Sequence, residues 1–161
     1  MIVLKNFERS ARLAELRVSY KRRAKTEPGQ LTMPFACTTP QTAEEYLRSI
    51  WDEDRFDYAE DFLVLCLNTS LEPLGWVRVS SGGQNQVAVD PRVIFGVALQ
   101  TAAASIIVAH NHPSGRVEPS AEDRAVTKRL REAGAIIGVQ LIDHIILSRV
   151  AAYSFADREP F

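Results

Sequence analysis

The chain has three histidines in 161 residues. Two of them, His110 and His112, flank Asn111 in "SIIVAHNHPSG". The apolar run that ends at His110 predicts a β-strand, and side chains two apart on a strand share a face. Both imidazoles can therefore aim at one point, at a strand end where open sheets place their chemistry. Two imidazoles and one carboxylate, with a fourth position left to water, is the pattern of a catalytic rather than a structural zinc site. Asp123 is the candidate carboxylate. "SAEDRAVTKRLREAG" predicts a helix with Ser120 as its cap and Gly134 past its end, so Asp123 lies in the first turn and can face the strand end. A second reading stands beside this one. Ser120-Ala-Glu-Asp123 is also a capping box, in which Asp123 returns to the cap N–H and the histidines are ordinary loop residues.

The elements around this stretch suggest how it is held. "TTPQTAEEYLRSIWDED" predicts a helix with two alternative starts. Thr39 can cap it with Pro40 in the first turn, or Thr42 can cap it with Glu45 three residues on. "DFLVLCLNTS" reads as a buried strand and "LGWVRVSSGG" as its hairpin partner. "NQVAV" reads as a further short strand. Asp90-Pro91 opens a helix over "PRVIFGVALQTAAA". "GVQLIDHIILS" reads as one bent strand or two, and "AAYSFAD" as a short ending. Helix, strands, helix, strand, helix, strands is the order of an α/β or α+β layer fold with a mixed sheet. His144, in "IDHIILS", is expected to be a satisfied core histidine, with a role behind the ligands as the alternative.

Composition bounds the rest. An apolar fraction of 46% is enough for a real core, and the formal charge of −1 exerts no global pull toward nucleic acid or membrane. Charge is uneven, however. Residues 1–30 carry eight Lys and Arg against three Glu, a basic arm that reads as a solvated segment or as a contact for nucleic acid. "KTEPGQLTMP" reads as linker, which sets an arm over residues 1–38 apart from one domain over 39–161. No apolar stretch approaches the ~20 residues of a membrane span. No signal-peptide apolar region opens the chain. Two cysteines make no disulfide framework, so a cytoplasmic setting is expected. Other chemistry lacks support: "SSGG" is not followed by the helix of a phosphate loop, no G-x-S-x-G occurs, and Cys66 has no local activating group.

His110-Asn-His112, seven residues, Ser120, two residues, Asp123 resembles the signature of JAMM/MPN+ metalloproteases. The wider text is similar to the bacterial RadC-like JAB-domain family, in "DPRVIFGVALQTAAASIIVAHNHPSG", "EPSAED", "LIDHIILS" and "YSFAD". The resemblance covers residues 39–161. It implies a JAB/MPN-type mixed β-sheet flanked by helices, with cytidine-deaminase-like layering. It implies Zn2+ on His110, His112 and Asp123, and hydrolysis of a peptide or isopeptide bond by metal-activated water. It also implies an acidic residue just before the first core strand. Glu60, in "AEDFLVLCLN", occupies that place as the proton acceptor. A surface acid at a strand mouth is its other reading, and Asp61 would point to the opposite face. The resemblance gives Ser120 a part in holding the oxyanion, and the same hydroxyl is also a good helix cap.

The match departs from the family in two places. Longer members carry an N-terminal helix-hairpin-helix region, for which this chain is expected to have no room. The insertions by which eukaryotic relatives grip ubiquitin are also not seen. The motif therefore implies the bond, while the peptide or protein substrate and the oligomeric state stay open. The rival from another class is a non-catalytic JAB module that binds nucleic acid or a repair or mobile-element complex through the basic arm.

Overall fold

The computed structural model describes residues 36–82, 89–159 and 161. The basic arm, the linker before residue 36 and most of "NQVAV" lie outside the described residues. Five strands form one sheet in the order β2-β1-β3-β4-β5: β1 Glu60–Leu67, β2 Pro73–Gly82, β3 Ser105–Asn111, β4 Gln140–Leu147 and β5 Ala152–Ser154. The β3–β4 pair is parallel and the other pairs are antiparallel. The helices are α1 Pro40–Ile50, α2 Pro91–Gln100, α3 Ala121–Ile137 and the short α4 Phe155–Arg158. This is the mixed α/β architecture that the element order predicts.

Strand β1 is apolar on both faces because both are covered. Phe62, Val64 and Cys66 join Ile94, Phe95 and Ala98 of α2 and Leu130 of α3 in one core. Leu63, Leu65 and Leu67 join Ala43 and Leu47 of α1 in a second. The central strand β3 is buried along its whole length, with Ile106 and Val108 in the first core and Ile107 and Ala109 in the second. His110 continues the first face and Asn111 the second.

The caps settle one alternative and correct two boundaries. Thr39 caps α1, and Thr42 sits at the third helical position as its reciprocal partner. Helix α2 stops at Gln100, short of the predicted "TAAA", because the chain turns at Ala102 with φ 51° to enter β3. Helix α3 does not end before Gly134. It runs to Ile137 and closes on Gly138, whose φ of 81° is the left-handed cap that glycine favours. Gly134 serves packing instead: a Cβ there would stand 2.5 Å from the Val139 carbonyl oxygen and 3.3 Å from the Phe95 ring.

"GVQLIDHIILS" folds as one strand, β4, with an irregularity. Leu141 pairs with Ile106 but Asp143, not Ile142, pairs with Ile107. The extra residue shifts the side-chain parity downstream. His144 then sits opposite Val108 on the α3 side of the sheet.

Candidate metal centre

The first face of the sheet, at the β3 end, meets the N-terminus of α3. His110 is the penultimate residue of β3, and His112 follows the strand. The His112 N–H donates to the Leu147 carbonyl at 3.0 Å, which extends the β3–β4 ladder one step beyond the strand. His112 therefore keeps the face of His110. A turn through Gly115, whose N–H donates to the His112 carbonyl, then carries the chain away.

The two rings converge with Asp123. His110 Nε2 lies 2.9 Å from His112 Nε2 and 3.1 Å from Asp123 Oδ1, and His112 Nε2 lies 3.6 Å from Asp123 Oδ2. Among the described residues this is the group of His, Cys, Asp and Glu side chains that could hold a metal ion, with its ligand atoms all within 4.8 Å of one another. Two ligands about 2.0 Å from a tetrahedral zinc stand about 3.3 Å apart, a spacing these separations bracket.

Orientation agrees with spacing. The Arg116 carbonyl can only accept, so His112 Nδ1 donates to it at 2.7 Å. A neutral His112 then turns an unprotonated Nε2 inward. The protein surrounds that point with negative charge. Burial alone would raise the Asp123 carboxyl, but the His110 and His112 imidazoles and the Ser120 hydroxyl beside it hold it well below the usual carboxylate range. Its hydrogen bond raises the His112 imidazole above its ordinary value, against the opposing effect of burial.

Asp123 divides its two oxygens between two tasks. Oδ2 accepts from the Ser120 N–H at 2.7 Å and the Ser120 hydroxyl at 2.6 Å, while Ser120 Oγ accepts from the Asp123 N–H at 3.1 Å. Oδ1 faces His110. The capping box and the candidate ligand set thus coexist: Oδ2 serves the cap while also lying 3.6 Å from His112 Nε2, and Oδ1 is left to His110. Ser120 is brought to the edge of the cluster as the helix cap, its one hydroxyl hydrogen directed at Asp123.

Glu60, the first residue of β1, is half-buried. Phe62 pairs with His110, the last pair of the β1–β3 register, and Glu60 lies two residues before it in β1. Glu60 shares the face of Phe62, whose ring stacks on His110 at 5.7 Å. Its negative charge contributes to raising His112. Asp61 takes the other face, fully buried, and forms ion pairs with Arg55 at 2.7 Å and Arg78 at 3.2 Å. It is structural.

Two further residues, Asn111 and His144, stand behind the candidate ligands. Asn111, buried between the histidines, accepts from the Asp61 N–H at 2.8 Å and donates to the Phe56 and Ala59 carbonyls, each at 2.9 Å. His144 Nε2 meets His110 Nδ1 at 2.8 Å, and His144 Nδ1 meets Thr127 Oγ1 at 2.6 Å. The His144 ring is wholly buried and stacked on Phe155 at 5.0 Å. Burial and the neighbouring His110 push its imidazole well below its ordinary value.

Known proteins carry similar text. A 139-residue stretch is 40% identical to a UPF0758 protein of Desulforudis audaxviator, over 85% of this chain and 58% of that protein. Over 88 residues it is 50% identical to a UPF0758 protein of Rubrobacter xylanophilus, covering 55% of this chain and 39% of the relative. A UPF0758 protein of Listeria monocytogenes is 42% identical over 118 residues, 73% of this chain and 53% of its own. The chain thus spans between about two-fifths and three-fifths of the length of these relatives. The family model of the RadC-like JAB domain matches residues 37–160, which take in both cores, Glu60, the histidine pair and the α3 cap. By this match the chain belongs to the RadC-like JAB-domain family.

Proposed function

We propose that this domain is a zinc-dependent hydrolase that cleaves an amide bond in a peptide or protein. The observation that carries the reading is the meeting of His110 Nε2, His112 Nε2 and the Asp123 carboxylate at one partly buried point. A carboxylate and inward-turned imidazole nitrogens in such close contact call for a positive charge between them, and the donor set is the one zinc takes in hydrolases. A bound zinc supplies a Lewis acid there and brings the pKa of the water it holds down to about 7.

The protein's own residues supply the remainder. His110, His112 and Asp123 hold the ion. Glu60 accepts a proton from the attacking water and returns it to the leaving amine, so that the C–N bond breaks as a C–O bond forms. The Ser120 hydroxyl, which donates to Asp123 Oδ2, is the donor proposed to turn to the oxyanion. The open side of the site, where Ser120 and the loop at Ser114–Arg116 are exposed, leaves room for an extended peptide.

Metal content tests the reading. Elemental analysis of the purified chain is expected to give about one zinc per chain, lost in His112→Ala and in Asp123→Ala. A protein that takes up no zinc when it is offered at neutral pH overturns the hydrolase and leaves a binding module.

A further inference from the structure

The contacts behind His110 run in one direction. Thr127 Oγ1 lies 2.6 Å from the Asp123 carbonyl, one helical turn back in α3. A carbonyl only accepts, so the single hydroxyl hydrogen of Thr127 is committed to it. Toward His144 Nδ1, at 2.6 Å, Thr127 can therefore only accept, and His144 Nδ1 must carry a hydrogen. Neither ring nitrogen of His144 meets a carboxylate. Its neighbour Asp143 is turned away, accepting from the His144 and Ala156 N–H groups and from Ser154 Oγ. Packed between Phe62 and Phe155, His144 spends its Nδ1 hydrogen on Thr127. Its Nε2 then accepts from His110 Nδ1 at 2.8 Å. The hydrogen on His110 is thereby placed on Nδ1, and its Nε2 is left bare toward His112 and Asp123.

We infer that Thr127 and His144 are positioning residues that fix the tautomer of His110, so that its Nε2 is presented unprotonated to the metal. The inference deepens the zinc reading and rests on it for its purpose. The relay has a structural logic of its own. It begins at the carbonyl of Asp123, one ligand residue, and ends on the ring of His110, another, so α3 and β3 are set relative to each other through β4. The shifted register of β4 is what turns His144 into this path. A metal-ligating histidine ordinarily donates its other N–H to an acceptor that fixes ring and tautomer, commonly a carboxylate or carbonyl. Here a second imidazole takes that place, and a threonine makes it an acceptor.

Three histidines make a direct test practical. In 15N-labelled full-length protein, two-bond proton–nitrogen spectra assign the tautomer of each ring. Spectra are recorded with zinc, and without it at about pH 8.5, where ordinary imidazoles are neutral. His144 and His110 are both expected as Nδ1–H tautomers. Thr127→Val keeps the shape and removes the acceptor. It is expected to release His144 to the Nε2–H form, to drive His110 to the opposite tautomer, and to weaken zinc binding by roughly 10- to 100-fold. Thr127→Ser, which keeps the hydroxyl, is expected to restore both. Amide spectra matching wild type establish that each variant folds. An Nε2–H tautomer at His110 or His144 in the wild type overturns the relay, as does a Thr127→Val protein with unchanged tautomers and zinc affinity. Failure of the zinc reading looks different: no zinc binds, while both rings still show Nδ1–H.

Discussion

Asn111 grips both peptide groups that flank Glu60. Its Oδ1 accepts the N–H of Asp61, and its Nδ2 donates to the carbonyl of Ala59. A third bond, to the carbonyl of Phe56, reaches back into the turn before β1. All of the amide is buried and all of it is used. The residue between the two candidate ligand histidines thus fixes, from the opposite face, where the neighbouring acid stands.

Asn111→Ala leaves three backbone groups to find water or stay unpaired. The expected cost is about 3 kcal/mol, since each unsatisfied group costs about 1–3 kcal/mol and some will hydrate. Urea unfolding measures the sum. Hydrogen exchange at the Asp61 amide is expected to be slow in the wild type and fast in the variant. Persistent protection of that amide would mean that Asn111 does not hold it.

Glu60→Gln separates binding from chemistry. Glu60 is not among the three candidate ligands, so zinc content is expected to stay near wild type. Turnover of any amide substrate that the wild type cleaves is expected to fall by about 10²- to 10⁴-fold, the range for loss of a general base. A variant that keeps wild-type turnover would take Glu60 out of the mechanism. One that loses zinc would make it a ligand.

The parts of this site that could be read in the sequence are those set by short-range periodicity. His110 and His112 share a face because strand parity repeats every two residues, and Asp123 faces them because a capped helix begins at a fixed offset. The relay and the clamp are not of that kind. Asn111 reaches Asp61 across fifty residues, a distance over which no spacing rule operates. Read by alternation from Leu141, His144 falls on the wrong face. Only the extra residue at Ile142, opposite Ile106 and Ile107, returns it to His110. The end of α3 lies beyond the sequence expectation for a related reason. Gly134 has the residue type of a helix stop, but what requires it is the close approach of the Val139 carbonyl and Phe95.

Gly134 and Gly96 should respond to alanine with opposite signs. Both lie within helices, where Gly→Ala ordinarily stabilises by about 0.5–1 kcal/mol. At Gly96 a Cβ meets nothing within 4 Å, so that gain is expected in full. At Gly134 it meets backbone at 2.5 Å, which a rotamer change cannot relieve. Gly134→Ala is expected to destabilise by about 1–3 kcal/mol, the usual cost of overpacking. Chemical denaturation of the two variants gives the comparison, and a stabilised Gly134→Ala would refute the close approach.

Asp61 should shape the acid limb of stability. Burial pushes its carboxyl up, but hydrogen bonds from Arg55 and Ser81 and the charges of Arg78 and Arg55 bring it below its ordinary value. A carboxyl lowered in the folded state stabilises the fold above the unfolded pKa of about 3.9, and that contribution fades as pH falls through the lower folded value. Asp61→Asn removes it. The variant is expected to be less stable than wild type at neutral pH by about 2 kcal/mol, less than the 3–5 kcal/mol of a fully buried broken pair because Arg55 and Arg78 keep access to water. The two proteins should converge only as the pH falls below about 3.9 and on through the lower folded value of Asp61, where the wild type loses the same charge. Denaturant midpoints measured across the acid range decide it. A difference that stays constant down to the lowest pH would place the stabilisation in packing, not in the Asp61 charge.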